Sequence, residues 1–245
     1  MFLSKLDLNI RDPKVRRDLG DMYEMHRTLW KAFPGEDQGG AGRVLFRVDN
    51  DGTGPLALVQ SVFEPNWRTL PVGYLRCPPE SKPFDPAFAV GDRLRFRLRA
   101  NPTKRLREAS PIADDAAPDP NRIRILPRGE GRTKSVGRRI GLLSENDQIS
   151  WLINKAAKAG FTVPGKWVDT EDPESKAPIK LPNFRVDAIP EGRLKHIKEQ
   201  GSTHVVVRFE GVLIVQDPVL FKQTLFAGVG SGKGFGFGLL SVAKA

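Results

Sequence analysis

Eight residues of this chain, Arg93 to Ala100, read Arg-Leu-Arg-Phe-Arg-Leu-Arg-Ala. Side chains two apart share one face of an extended strand. The segment is therefore a strand with Leu94, Phe96, Leu98 and Ala100 in a core and Arg93, Arg95, Arg97 and Arg99 on the opposite face. Four like charges on one face repel, which calls either for an anionic partner or for a fully solvated surface. Across 245 residues, 39 Lys and Arg stand against 29 Asp and Glu, a net charge of +10. Such an excess is the electrostatic footprint of nucleic-acid binding. An anionic membrane is the other natural partner, but no basic amphipathic helix and no apolar run of about 18 residues appears.

The opening segment alternates, with Leu6, Leu8 and Ile10 facing one way and Lys5, Asp7 and Asn9 the other. That pattern is a half-buried strand rather than the apolar core of a signal peptide, so a cytoplasmic protein is expected. Cys77 is the single cysteine and allows no internal disulfide. Asp12 as N-cap and Pro13 at the first helical position predict one helix over residues 13–33. Strands over 43–49 and 56–63 flank Asp49-Asn50-Asp51-Gly52, a hairpin turn rather than a calcium loop, whose remaining ligands are missing. His26, His196 and His204 are scattered without zinc spacing, and no metal or other cofactor is expected.

A Pro-rich run leads to the arginine strand, which is taken to close a first half, residues 1–108. Residues 109–136 read as a linker or insertion. The second half, 137–245, opens with a strand over 138–143. Ser144 and Asp147 then cap a helix over 145–159, which Gly160 ends. After a charged loop over 170–182 come strands over 184–189 and 203–209, the latter extended by 212–215. A short helix over 218–226 precedes a last strand. Each half thus reads β-α-β-β-α-β, although the second helix of the first half is weak. The fold class is α+β: two tandem ferredoxin-like units, the topology shared with RNA-recognition domains.

Between the last helix and the last strand lies Gly-Val-Gly-Ser-Gly-Lys-Gly-Phe-Gly-Phe-Gly, residues 228–238. Glycine in an ordered element costs about 0.5–1 kcal/mol relative to alanine. The run is therefore placed where bare backbone lies close to something, most often phosphate, which backbone N–H groups and a lysine hold. A flexible linker would have little left to link. A P-loop requires glycine where Ala227 stands and Ser or Thr where Gly234 stands. A dinucleotide fingerprint must open a βαβ unit of about 30 residues. With both excluded, the expected ligand is an extended or folded polyanion.

On the first helix, Met22, Met25, Leu29, Ala32 and Phe33 form a core stripe. Beside it lie Tyr23, His26, Arg27 and Trp30, with Lys31 further round. Tyr23 and His26 are three apart, and Tyr23 and Arg27 four apart, so their side chains are neighbours. These are the parts needed to cut RNA without metal, by attack of a 2′-hydroxyl on its own phosphorus. The reaction needs a base for that hydroxyl, an acid for the departing 5′-oxygen, and cations for the phosphorane charge. Histidine exchanges protons at neutral pH. A structural histidine on a helix flank is the competing reading.

Several segments resemble the precursor-RNA endoribonucleases of type I-E CRISPR systems, the CasE family of the RAMP superfamily. They are F-L-S-K-L-D-L-N, R-R-D-L-G-D-M-Y-E-M-H-R-T-L-W-K-A-F, L-V-Q-S-V-F-E-P-N-W, G-D-R-L-R-F-R-L-R-A-N-P-T-K-R-L and the closing glycine run with L-L-S-V. The loops 109–134 and 170–182 match weakly. The resemblance implies two ferredoxin-like domains that bind the stem-loop of a CRISPR repeat. It further implies metal-independent cleavage at the 3′ base of the stem, a 2′,3′-cyclic phosphate product, and retention on the guide RNA as a subunit of Cascade. Tyr23 and His26 match the catalytic positions, with histidine as the proton-transfer group. Arg27 and Lys31 are assigned to phosphate, and Gly230, Gly232, Lys233 and Gly234 to the glycine-rich loop that meets RNA. The turn with Arg193, Lys195 and Lys198 lies where the family inserts a basic hairpin into the stem's major groove. Glu191, His196 and Glu199 give it a mixed composition. Asn101, Lys104, Arg105 and Arg107 are further backbone contacts, with a solvated end as the alternative. The rivals are a non-catalytic RAMP-type scaffold that holds RNA without cutting, and a ribosome-associated binding module.

Overall fold

Alternation in the opening segment builds β1 (Phe2–Asp7), which becomes an interior strand of the first sheet. β2 (Val44–Asn50), β3 (Pro55–Ser61) and β4 (Glu80–Pro83) complete it in the order β2-β3-β1-β4, with every pairing antiparallel. The structure, a computed structural model, describes residues 1–35, 40–50, 52–105, 139–172, 176, 178–195 and 203–245. The turn between β2 and β3 is the expected hairpin, with the Gly52 amide donating to Asn50 Oδ1.

The single helix expected over 13–33 is two helices, α1 (Pro13–Gly20) and α2 (Met22–Trp30). Asp21 ends one and begins the next. Its backbone is extended (ψ 99°), its N–H donates to Arg17 O, and its side chain accepts from the Tyr23 amide. Asp12 caps α1 as expected. The stripe of Met22, Met25, Leu29, Ala32 and Phe33 is buried in one core with Leu6, Phe46 and Val59 of the sheet and with Leu8 just beyond β1. The weak second helix is a single 3-10 turn, Trp67–Thr69.

The arginine strand, β5 (Arg93–Ala100), does not close this first unit. Beyond it run β6 (Thr103–Arg105), β7 (Arg139–Gly141), α3 (Glu145–Ala156), β8 (Phe161–Thr162), β9 (Gly165–Glu171) and β10 (Pro178–Phe184). They are followed by β11 (Val186–Lys195), β12 (Thr203–Val215), α4 (Pro218–Ala227) and β13 (Leu240–Lys244). The second sheet has the order β11-β12-β5-β13. β5 is its first strand and lies between two strands that arrive late in the chain, β12 and β13. The boundary expected at residue 108 is thus corrected: the first sheet ends with β4, and the second unit runs β5-α3-β11-β12-α4-β13. In each sheet the first strand lies between the third and the fourth, the ferredoxin-like arrangement. The strand expected over 138–143 is only β7, which pairs with β6 apart from the main sheet. Of the loop expected over 170–182, residues 170–171 and 178–182 lie in the antiparallel strands β9 and β10. β12 merges the two strands expected over 203–215. β11 bulges between Pro190 and Gly192, where proline has no N–H for the ladder.

Arg47 joins the two sheets. Its side chain is 2% exposed. Nε and Nη2 donate to the Asp49 carboxylate at 2.8 Å each, and Nη1 reaches Arg97 O at 3.3 Å and Ser241 Oγ at 3.0 Å. Gln60 Nε2, on β3, donates to Leu225 O of α4 at 2.9 Å.

Candidate active site

His26 leaves α2 at the rim of the first core and faces the glycine run across the junction between the units. Its ring lies 4.6 Å from Trp30 and 6.2 Å from Phe46, to which it is stacked. Tyr23 is 38% exposed and sits 6.3 Å from the His26 ring. A 3-10 turn in the glycine run, Lys233–Phe235, packs on this helix. Phe235 lies 5.8 Å from Tyr23, and a Cβ built on Gly234 would stand 3.7 Å from His26 Cδ2.

The glycines answer first to the protein itself. All but Gly234 of the six have positive φ. A Cβ on Gly228 would lie 2.8 Å from Leu45 Cδ1 of β2, and one on Gly232 would lie 2.9 Å from Phe237. The close neighbours expected to be phosphates are, at these positions, protein side chains. Gly234 is the exception: it has an ordinary φ and borders the histidine.

Burial pushes the His26 imidazole below its ordinary value near 6.5, so it is neutral at pH 7. Burial also lowers Lys233, with the positive charges of Arg43 and Lys155 adding to the effect. Lys233 Nζ donates to Gly230 O at 2.8 Å. Arg27 is exposed and pairs with Glu24 at 3.3 Å, and Lys31 is exposed one turn beyond His26.

The other expected contacts disperse. Lys104 and Arg105 are exposed on β6, and Arg193 is exposed on β11. Lys195 ends β11, and Arg107 and Lys198 lie outside the described residues. Asn101 is not at the surface: it is 6% exposed, and its Nδ2 stands 2.9 Å from His204 Nδ1. His204, half-buried, in turn lies 4.4 Å from Phe235, so this pair supports the turn that covers His26. Neither Phe235 nor His204 carried a sequence signal beyond its residue type, because the contacts join distant segments. The arginine face of β5 needs no outside anion at its inner end. Arg97 pairs with Glu210 at 2.6 Å and Asp49 at 3.7 Å, and Arg99 with Glu191 at 2.7 Å. Among the described residues no three His, Cys, Asp or Glu side chains form a metal-holding group, and no helix is long and apolar enough to cross a membrane.

A sequence profile of the family described as "CRISPR associated protein" matches residues 1–244. The chain belongs to this family. It is 36% identical over 252 residues to the CRISPR-associated endoribonuclease Cse3 of Thermus thermophilus, covering 99% of this chain and 100% of the relative. It is 28% identical over 245 residues to the CRISPR system Cascade subunit CasE of Escherichia coli, covering 99% of each. A solved structure of CRISPR endoribonuclease Cse3 bound to a 19-nucleotide RNA superposes with a TM-score of 0.74 at 34% identity, covering 99% of this chain and 100% of that one. Family membership agrees with the expected pair of ferredoxin-like units.

Proposed function

We propose that this protein is a metal-independent endoribonuclease that binds the stem-loop of a CRISPR repeat RNA and cleaves the precursor at the 3′ base of the stem. The observation that carries this reading is His26, neutral and half-buried under the glycine turn beside Tyr23. It is supported by the end-to-end likeness to an endoribonuclease. The 2′-oxygen attacks its own phosphorus and gives up its proton, and the 5′-oxygen leaves with one, so the products are a 2′,3′-cyclic phosphate and a 5′-hydroxyl. A neutral imidazole accepts a proton, and groups of this kind contribute roughly 10²–10⁴-fold. His26 is the proton-transfer group, and Tyr23 assists or orients the 2′-hydroxyl. Arg27 and Lys31 face the phosphate charge, and Lys233 binds the RNA from the glycine run. The protein then stays on the guide RNA as a Cascade subunit in the cytoplasm.

The test is cleavage of a repeat hairpin in EDTA. His26→Ala is expected to lose at least about 100-fold in single-turnover rate while still binding the hairpin. Full activity in His26→Ala, or a strict need for magnesium, overturns the reading. Tight binding by the wild type with no cyclic-phosphate product is the outcome for a non-catalytic scaffold.

A further inference from the structure

The glycine run has two sides. Gly234 borders His26, whereas Lys233 turns back onto Gly230 O. On that second side the run rests on Trp151 of α3, where a Cβ on Gly230 would stand 3.1 Å from the indole. Lys155, one turn along α3, holds its Nζ 5.9 Å from the same ring. Across the junction, Gly228 packs on Leu45 of β2, two residues beyond Arg43. The loop thereby gathers a lysine of its own, a lysine from the second unit and an arginine from the first. Arg43 and Lys155 are exposed, and Lys233 is half-buried. Among the described residues none of the three is paired with a carboxylate.

Like charges gathered without counter-charge raise the energy of the folded state, and an arriving anion relieves it. Burial lowers the proton affinity of Lys233, and the charges of Arg43 and Lys155 lower it further. An arginine presents a planar fork of donors and a lysine a compact point charge, so together they suit a phosphodiester oxygen pair.

We propose that Arg43, Lys155 and Lys233 form a phosphate clamp for the RNA backbone on the side of the glycine run away from His26, so that one loop grips a non-reacting phosphate while its other side borders the cleavage site. This rests on the RNA-cleaving function proposed above. It adds two residues, from separate units, to the binding surface. Because they come from both units, the clamp is complete only when the two sheets are docked.

The experiment measures the Kd of a non-cleavable repeat hairpin, carrying a 2′-deoxy substitution at the cut site, across a range of NaCl for wild type, Arg43→Gln, Lys155→Gln and the double variant. Each lost phosphate contact should flatten the slope of log K against log salt by about 0.7–0.9, which corresponds to about fivefold weaker binding at 0.15 M salt. Lys222→Gln, which removes a cation paired with Asp85 at 2.6 Å on α4, is the control and should leave the slope alone. Both clamp side chains are exposed, so their removal leaves the melting temperature near that of wild type. Unchanged slopes in both single variants, with wild type binding and cutting the repeat, overturn the clamp and leave the proposed function standing. A wild-type protein that neither binds nor cuts the repeat overturns both. Inorganic phosphate added at constant ionic strength should not displace the hairpin; efficient displacement would mean a free-anion site and would also overturn the clamp.

Discussion

Two groups of cations in this protein resemble each other in composition and differ in company. On the face of β5, Arg97 and Arg99 are met by Glu210, Asp49 and Glu191, and Arg47 beneath them is buried on Asp49. Around the glycine run, Arg43, Lys155 and Lys233 have no carboxylate among the described residues. Charge that is neutralised internally holds the two sheets together. Charge left uncompensated at the loop is held in readiness for a ligand. Net charge alone would have assigned both groups to RNA; pairing separates them.

The sharpest way to break this contrast is Arg47→Met. Removing one partner of a buried pair typically costs about 3–5 kcal/mol, so a large fall in unfolding free energy is expected in a denaturant titration. A small fall accompanied by a large loss of RNA affinity would move Arg47 to the ligand side.

The next effect is read by pH, since desolvation marks His26 as it marks Lys233. The acid-side midpoint of kcat/KM, which reports the free enzyme, should fall below the ordinary histidine value near 6.5. Below that midpoint the rate should drop about tenfold per pH unit. A midpoint at or above 6.5 contradicts the buried, neutral imidazole. The same depression means that stability contributed by neutral His26 is present above the unfolded value and is lost as pH falls through the folded one.

Lys233→Met should weaken hairpin binding by about fivefold at 0.15 M salt while changing stability by no more than about 1 kcal/mol, the worth of its hydrogen bond to Gly230 O. Because its folded pKa lies below the ordinary lysine value, wild-type stability rises as pH climbs through the folded value toward the unfolded one. The substitution should remove that rise. The smallest effect belongs to Arg97→Gln. Its side chain is 42% exposed, so the loss should be about 1 kcal/mol or less, with the salt slope of RNA binding unaltered. A flattened slope would return the β5 face to the RNA surface.

The comparison also marks what the sequence carried. Local signals held: the caps at Asp12 and Ser144, the core stripe of α2 and the turn at Asn50 to Gly52 all appear in the structure. Pairing did not follow from them. The alternation of β5 specifies a strand with one buried face, but nothing in those eight residues names β12 and β13 as neighbours far along the chain. β4 is exposed at all four residues and ends in a proline, so it lacked the alternation that reveals a strand. β5 has the alternation that β4 lacks, so the expected division between the units falls after it. In the site, Tyr23 and His26 were legible because helical spacing makes them neighbours. Phe235, His204 and the buried role of Asn101 were not, since each depends on segments brought together only by folding.

A continuous helix from residue 13 would transmit the rotation of its first turn to every later side chain, at about 100° per residue. One residue gained or lost anywhere in α1 would then swing Tyr23 and His26 away from the glycine turn. The chain instead leaves helical geometry at Asp21 and starts afresh, with that carboxylate on the Tyr23 amide. The angular setting of the pair is therefore local, fixed by one cap and the stripe beneath it. α1 is anchored on its own account, by buried Val15 and by Asp18, which accepts from Lys14 Nζ and Tyr74 OH, while the imidazole takes its aim from the cap at Asp21.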